Sequence, residues 1–244
     1  MHPSAVTCPV RSQRVDFVWS PSSKRDMWII RGALRVLLNR QFPLLKPRLQ
    51  FRPVLNIFTD ASGGLGEGFG AITQEPSPAA FAMMFPPAFL LAAGGHAHNV
   101  PVMMRTSLLE LVAPLAALLT FGHRLRGRTV RFWIDNIASV TAFACQKSRD
   151  QSVCMLLRLI RIVAARLDVQ VVMEHVPRRS DIWSVAADDL THAEIDKILA
   201  VWPEAKAVVS AVPEPVAAFF DLHSGGDVTP LVVICNEFID AYYN

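Results

Sequence analysis

Between residues 54 and 199 the sequence alternates short apolar runs with segments of helical period, and this order limits the folds open to the chain. Five of the runs have the length and composition of strands: 54–60, 69–74, 79–85, 129–135 and 169–176. Four segments have helical spacing: one beginning at 106, then 137–147, 152–167 and 181–199. Three strands followed by alternating helices and strands predict an α/β domain with a mixed five-stranded sheet flanked by helices.

The predicted domain occupies residues 51–199, and segments of different character flank it. Residues 1–50 form a predicted leader with one helix at roughly 22–39. Residues 200–244 form a proline-punctuated C-terminal extension. The apolar stretch 79–95 is interrupted by Pro86 and Pro87, whereas a membrane-spanning helix needs about 20 apolar residues with intact backbone hydrogen bonds. We therefore expect no membrane association.

Composition predicts a folded intracellular protein. Hydrophobic residues make up 52% of the chain and charged residues 18%, which supplies a core and argues against disorder. The four cysteines form no CxxC pair, so neither a zinc site nor a disulfide framework is expected. No secretory signal is predicted, because residues 1–14 contain no long apolar run. We expect the cytoplasm or the nucleus; the formal net charge of +3 is too small to identify a nucleic-acid binder by itself.

Four acidic residues, three of them at the ends of predicted elements, lie among apolar neighbours. Asp60 and Asp135 end the first and fourth strands, Glu110 lies in the first turn of its helix, and Asp188 lies on the last helix. Neighbouring strand ends lie about 4.8 Å apart, so two strand-terminal aspartates can share a metal ion. Two Mg²⁺ ions about 4 Å apart can activate a water and stabilise the leaving oxygen of a phosphodiester. Only a cluster of carboxylates can hold two such cations close together.

Each of these residues also has a structural interpretation. Asp60 could cap a turn before the glycine-rich segment, and Glu110 could complete a capping box with Ser107. Asp135 could be the N-cap of the following helix, and Asp188 could belong to a solvated helix face. Taken one at a time, none of the four positions is specific for metal binding.

Taken together, the four positions lie in motifs that resemble those of retroelement ribonuclease H domains. The resemblance covers about residues 54–192 and is closest to the reverse-transcriptase-linked domains of tyrosine-recombinase (DIRS-type) retrotransposons. The motifs are Thr59-Asp60-Ala61-Ser62 with the glycine-rich turn 66–70, Ser107-Leu-Leu-Glu110, Asp135-Asn136, and His175-Val-Pro177 followed by Ala187-Asp188-Asp189. The sequence departs from the family at three positions, where glycine, asparagine and arginine are replaced by Arg178, Ser184 and His192.

The resemblance implies a ribonuclease H-like fold that binds Mg²⁺ or Mn²⁺ through Asp60, Glu110, Asp135 and Asp188 and hydrolyses the RNA strand of an RNA–DNA hybrid. It makes His175 a candidate for protonating the leaving group or assisting product release, although a histidine can also simply end a strand. It further implies an upstream polymerase domain, and the leader would be a remnant of that connection. The alternative, favoured by the departures at Arg178 and Ser184, is a catalytically inactive module that binds nucleic acid or a protein.

Basic and aromatic residues near the acidic positions are candidates for substrate contact. The arginines predicted to bind nucleic acid through its phosphates are Arg124, Arg126 and Arg128, before the fourth strand, and Arg178 and Arg179, before the last helix. The alternative for them is ordinary solvated surface. Trp133 and Trp183 flank the proposed site in the sequence, where both base stacking and core packing fit their positions.

Overall fold

The computed structural model describes residues 52–63, 67–92, 102–223, 234–235 and 237–241. The predicted leader, with its helix at 22–39, lies outside the described residues, and so does part of the glycine-rich turn. The described residues form an α/β fold in which a mixed sheet carries helices on both faces.

The sheet has six strands within the described residues. They are β1 (Val54–Ala61), β2 (Gly68–Thr73), β3 (Ala79–Met84), β4 (Thr129–Ile134), β5 (Gln170–His175) and β6 (Lys206–Val209), in the spatial order β5-β4-β1-β2-β3-β6. The first three strands pair antiparallel, whereas β4 runs parallel to β1 and β5 runs parallel to β4. The mixed sheet with helices on both faces confirms the α/β class predicted from the sequence.

The prediction of five strands is wrong by one. β6 pairs in parallel with β3, from Ala79↔Lys206 to Ala82↔Val209. It is four residues long, too short to show a period, and pairing with the open edge of β3 is what makes it a strand. The extension also supplies a helix, whose Phe220 packs on Phe85 and Phe89. Residues 206–223 are therefore built into the sheet and its core.

The helices divide between the two faces of the sheet. They are α1 (Pro87–Ala92), α2 (Val102–Leu125), α3 (Ile137–Cys145), α4 (Gln151–Arg166), α5 (Ile182–Thr191), α6 (Ile195–Val201) and α7 (Glu214–His223). Alternate side chains of β1 face opposite ways: Ile57 joins the core that α2 and α4 cover, and Phe58 joins the core of Leu190 and Ile198 from α5 and α6.

All four predicted helices have somewhat different bounds in the structure, and two of them differ most. α2 begins at Val102 rather than at 106, so the residues directly before Thr106 belong to the helix. The predicted helix 181–199 is two helices, since Ala193 has a φ of 58°, in the left-handed region that ends an α-helix. Within the described residues, the segment Thr106–Leu125 of α2 is long and apolar enough to cross a membrane, but 83% of it is buried inside the fold, as in a core helix.

Candidate metal centre

Three of the four predicted metal ligands meet at the end of the sheet where β1 and β4 finish. The parallel register pairs Phe58 with Trp133, so Asp60 and Asp135, two residues further along each strand, lie side by side. Glu110 reaches the same point from α2, which packs on β1. One carboxylate oxygen from each of the three lies within 4.8 Å of the others. We call Asp60, Glu110 and Asp135 the acidic cluster.

The surroundings of the acidic cluster oppose its negative charge. Burial, followed by the nearby Asp135, raises the pKa of Asp60 to about 7, although the Ala61 N–H donates to its Oδ1 at 2.8 Å. Burial and the two neighbouring aspartates raise the pKa of Glu110 well above its usual value. Glu110 is 2% exposed, and its Oε2 has no hydrogen-bond partner among the described residues. The cluster can therefore be fully ionised only at a high energetic cost unless a cation joins it.

Two structural interpretations of these residues are excluded. Glu110 is the ninth residue of α2 and so cannot form a capping box with Ser107 at the helix start. The N-cap of α3 is Asn136, which accepts from the Ser139 N–H at 3.0 Å, and not Asp135. The positions of Glu110 and Asp135 are therefore not explained by helix capping.

Asp188, the fourth predicted ligand, is bound to two arginines. It lies on α5 and is 3% exposed, which excludes a solvated helix face. Its Oδ1 accepts from Arg178 Nε at 3.1 Å and Nη2 at 2.6 Å, and its Oδ2 accepts from Arg179 Nη1 at 3.0 Å. Burial acts to raise the pKa of Asp188, but the hydrogen bonds and charges of the arginines outweigh it and lower that pKa. Asp188 still acts on Asp60, whose pKa its charge helps to raise.

The approach of α5 to the sheet depends on residues other than the four acids. Gly70 pairs with Asp60 across β1 and β2, and a Cβ at Gly70 would lie 2.4 Å from the Cβ of Leu190. Asp181 caps α5 and forms a reciprocal capping box with Ser184. The sequence identifies Gly70 only as part of a glycine-rich motif and Ser184 only as a departure from the family. The signal for the cap is the spacing of Asp181 and Ser184, three residues apart.

His175 lies beside Asp135, one of the residues of the acidic cluster. It is the last residue of β5, paired with Ile134, and its side chain is exposed. Its Nε2 lies 3.1 Å from the backbone oxygen of Asp135. The histidine is therefore next to the cluster, and its role in the chemistry stays a prediction.

The predicted nucleic-acid-binding arginines lie at both ends of the sheet. Arg178 and Arg179 are at the acidic cluster through Asp188. Arg124 and Arg128 instead pair with Glu75 near the start of β4, and Arg126 lies between them in the sequence. A six-residue strand spans about 20 Å, so the structure does not bring Arg124, Arg126 and Arg128 to the carboxylates. Their contact with nucleic acid stays a prediction.

A shallow cleft opens next to the acidic cluster, lined by Phe58, Thr59, Asp60, Trp133, Asp135, Val176, Arg178, Ser184 and Ala187. Phe58 stacks between Trp133, at 5.9 Å, and Trp183, at 6.3 Å between ring centroids. Both tryptophans are half-buried. Both tryptophans pack on the core, which was one of the two interpretations given for them, the other being base stacking. Trp133 also lines the cleft.

No protein-family model matches the chain, and no curated protein matches it. Among solved structures it is similar to RNase H1 from the halophilic archaeon Halobacterium salinarum NRC-1, with 13% identity, a TM-score of 0.42, and coverage of 59% of this chain and 98% of that one. It is also similar to the N-terminal RNase H domain of rv2228c from Mycobacterium tuberculosis, with 15% identity, a TM-score of 0.39, and coverage of 61% and 98%. LC11-RNase H1, solved in complex with an RNA/DNA hybrid, has 18% identity, a TM-score of 0.37, and coverage of 59% and 99%. These likenesses are distant, so the function is inferred from the carboxylates of this chain.

Proposed function

We propose that the chain is a metal-dependent endonuclease of ribonuclease H type that hydrolyses the RNA strand of RNA–DNA hybrids. The observation that carries this proposal is the acidic cluster, in which buried Asp60 and Glu110 meet Asp135 within 4.8 Å. The motif resemblance supports an origin in a retroelement reverse transcriptase, with a polymerase domain upstream. The scattered cysteines, which form no CxxC pair, support an intracellular location.

The residues of the cluster fit a hard divalent cation. Mg²⁺ and Mn²⁺ take oxygen ligands, and carboxylates are the side chains that supply them with charge. The unpartnered Oε2 of Glu110 is a buried acceptor that a cation would satisfy. Asp60, Glu110 and Asp135 would hold the ion. When bound, such an ion activates a water and stabilises the charge that develops on the phosphate.

The chain's own groups around the cluster fit the remaining needs of the reaction. The side chains of Arg178 and Arg179 are 60% and 56% exposed, and their guanidinium groups are suited to phosphate oxygens of the substrate. The exposed His175 lies beside Asp135, where an imidazole can give a proton to the leaving oxygen or assist product release. Burial of Asp60 and Glu110 keeps bulk water from screening the charges of the site.

The alternative function is a ribonuclease H-like module that binds nucleic acid or a protein without cutting. One observation favours it: Asp188 is occupied by Arg178, which stands where the family has glycine, and by Arg179. The acidic cluster favours the enzyme, because a module that needs no cation gains nothing from burying mutually repelling carboxylates.

A cleavage assay on labelled RNA–DNA hybrid tests the proposal, with Mg²⁺, with Mn²⁺ and with chelator. Asp60→Asn keeps the shape of the side chain and removes its charge, and we expect it to lower metal-dependent cleavage by about 10³-fold or more while the circular dichroism spectrum stays unchanged. Asp168→Asn is the matched control, because Asp168 lies before β5 at the opposite end of the sheet with a φ of 53°, which asparagine tolerates.

Undiminished cleavage by the Asp60→Asn protein would refute the proposal. Hybrid binding without cleavage by the wild-type protein, under either metal, would establish the non-catalytic alternative. Matched RNA and DNA duplexes in the same assay measure the preference for hybrid.

A further inference from the structure

Asp188 already has two cationic partners from its own chain. Arg178 and Arg179 donate three hydrogen bonds to it, at 3.1, 2.6 and 3.0 Å, so both carboxylate oxygens are engaged. Both arginines come from the turn between β5 and α5, next to Asp181, the cap of α5. Arg178 also lines the cleft together with Asp60 and Asp135. The guanidinium groups therefore belong to the same site as the acidic cluster.

The charges of the site suggest how many divalent ions it needs. A carboxylate quartet balances two divalent cations, which is the reason such quartets hold metal pairs. Here two guanidinium charges lie on Asp188, so four ionised carboxylates and two arginines together leave two negative charges, which one divalent ion balances. Arginine stays protonated at any working pH, so this contribution does not depend on metal concentration.

We infer that the chain binds one divalent cation tightly, at Asp60, Glu110 and Asp135, and that Arg178 and Arg179 take the place of a second cation at Asp188. The inference rests on the proposed function. It is supported by a second feature besides the arginines, the unpartnered buried Oε2 of Glu110, which directs the single ion to the cluster and away from Asp188.

In this arrangement the arginines have two tasks. They hold Asp188 in place without metal, and each guanidinium has five N–H donors, more than one carboxylate can accept. The remaining donors of these largely exposed groups are available to a substrate phosphate next to the cluster. Arg178 and Arg179 are thus substrate-binding residues as well as positioning residues for Asp188.

The test is the stoichiometry of Mn²⁺ binding to the full chain without substrate, measured by isothermal titration calorimetry and by the electron paramagnetic resonance signal of unbound Mn²⁺. The wild-type protein is expected to bind one Mn²⁺ per chain. In R178Q/R179Q, Asp188 loses both cations. We expect this variant to bind a second Mn²⁺ ion at least about 10-fold more tightly than the wild type binds any second ion, since unit charges a few ångströms away are removed.

Two further variants control for charge and position. R178K keeps a positive charge at residue 178 and is expected to bind one Mn²⁺. R52Q removes an arginine that pairs with Asp168 at the far end of the sheet, at 2.8 Å, and is also expected to bind one. Circular dichroism checks the fold of each protein; should the double variant fail to fold, R178Q alone is expected to give a weaker second site.

Two wild-type sites of similar affinity would overturn the inference and leave the proposed function standing, and so would a folded R178Q/R179Q protein that still binds one ion. Absence of Mn²⁺ binding in the wild type and in the double variant would overturn the inference and the proposed function together.

Discussion

Carboxylates at the two ends of the central sheet are neutralised in different ways. Where β1 and β4 begin, Glu75 pairs with Arg124 at 2.9 Å and Arg128 at 3.3 Å, all three partly exposed. At the other end Asp60 and Glu110 are buried with Asp135 beside them, and the arginines of that end are engaged by Asp188. At the first end the carboxylate is neutralised by ion pairs within the chain. At the second end three acidic side chains lie together without an arginine paired to any of them within the described residues.

This difference shows which acidic residues are structural. Partly exposed ion pairs such as those of Glu75 add little stability and can be lost without consequence for the fold. Burying carboxylates without a counter-charge is expensive, and folded proteins keep such groups where function requires them. The contrast between the ends therefore points to the end of β1 and β4 as the functional one.

The largest expected effect is a loss of folding stability as pH rises. If this loss were absent, the contrast between the two ends of the sheet would be wrong. The raised pKa of Asp60 means that the metal-free folded state holds a proton that the unfolded state gives up. This stabilisation is fully present below pH 3.8, the usual value, and is lost as pH rises to about 7. The rise in pKa corresponds to at most about 4 kcal/mol of unfolding free energy. Urea denaturation in chelator, between pH 4.5 and 8, measures it.

The variants and metal give the pH experiment its controls. Asp60→Asn is expected to flatten the loss of stability, and Asp168→Asn to keep the slope of the wild type. Mn²⁺ should restore stability most at high pH, where the cluster is ionised. A wild-type slope no steeper than that of Asp60→Asn would mean that the acidic cluster is not strained by its charge.

A smaller loss of stability is expected when a glycine at either end of the sheet is replaced by alanine. In Gly70→Ala the new methyl group would meet Leu190 at 2.4 Å and the backbone oxygen of Phe81 at 3.0 Å. Overpacking of this kind costs about 1–3 kcal/mol, and it would push α5, with Asp188, away from the cluster. We expect lower stability and slower hybrid cleavage.

Gly127→Ala is the matched control at the opposite end. Gly127 has a φ of 74°, with nothing within 4 Å of a Cβ, so the substitution strains only the backbone, by about 1–2 kcal/mol. Thermal melts of both variants should show destabilisation, and single-turnover assays should show slower cleavage in Gly70→Ala alone. Equal cleavage by the two would show that the position of α5 does not matter to the site.

The strands and the meeting of Asp60 with Asp135 could be predicted because both depend on short-range patterns. Each aspartate directly follows an apolar run, and parallel neighbours bring such strand ends together. Glu110 was assigned to the wrong part of its helix, yet the prediction that it joins the aspartates survives, because the packing of α2 on β1 fixes its place.

Other features depend on contacts that the sequence does not encode locally. β6 becomes a strand only through its pairing with β3. The arginines before β4 are near Asp135 in the sequence, but the length of β4 separates them from it. The partners of Asp188 depend on the turn before α5, where Arg179 has a φ of 53°, and residue types alone do not predict that geometry.

The smallest expected effect is that of Glu75→Gln, which removes the ion pairs with Arg124 and Arg128 at the end of the sheet where β1 and β4 begin. Pairs this exposed contribute about 0–1 kcal/mol each, and less at high salt. We expect a loss of stability so small that it is close to the detection limit of urea denaturation. The rate of hybrid cleavage at saturating enzyme should be unchanged.

The same variant tests whether Arg124 and Arg128 bind nucleic acid. Without Glu75 both guanidinium groups are released, so hybrid affinity and its dependence on salt should increase if they contact phosphates. Unchanged affinity would restrict nucleic-acid binding to the end that carries Arg178 and Arg179. A loss of cleavage comparable with that of Asp60→Asn would contradict the division of the sheet into a structural end and a functional end, because Glu75→Gln alters none of the proposed metal ligands.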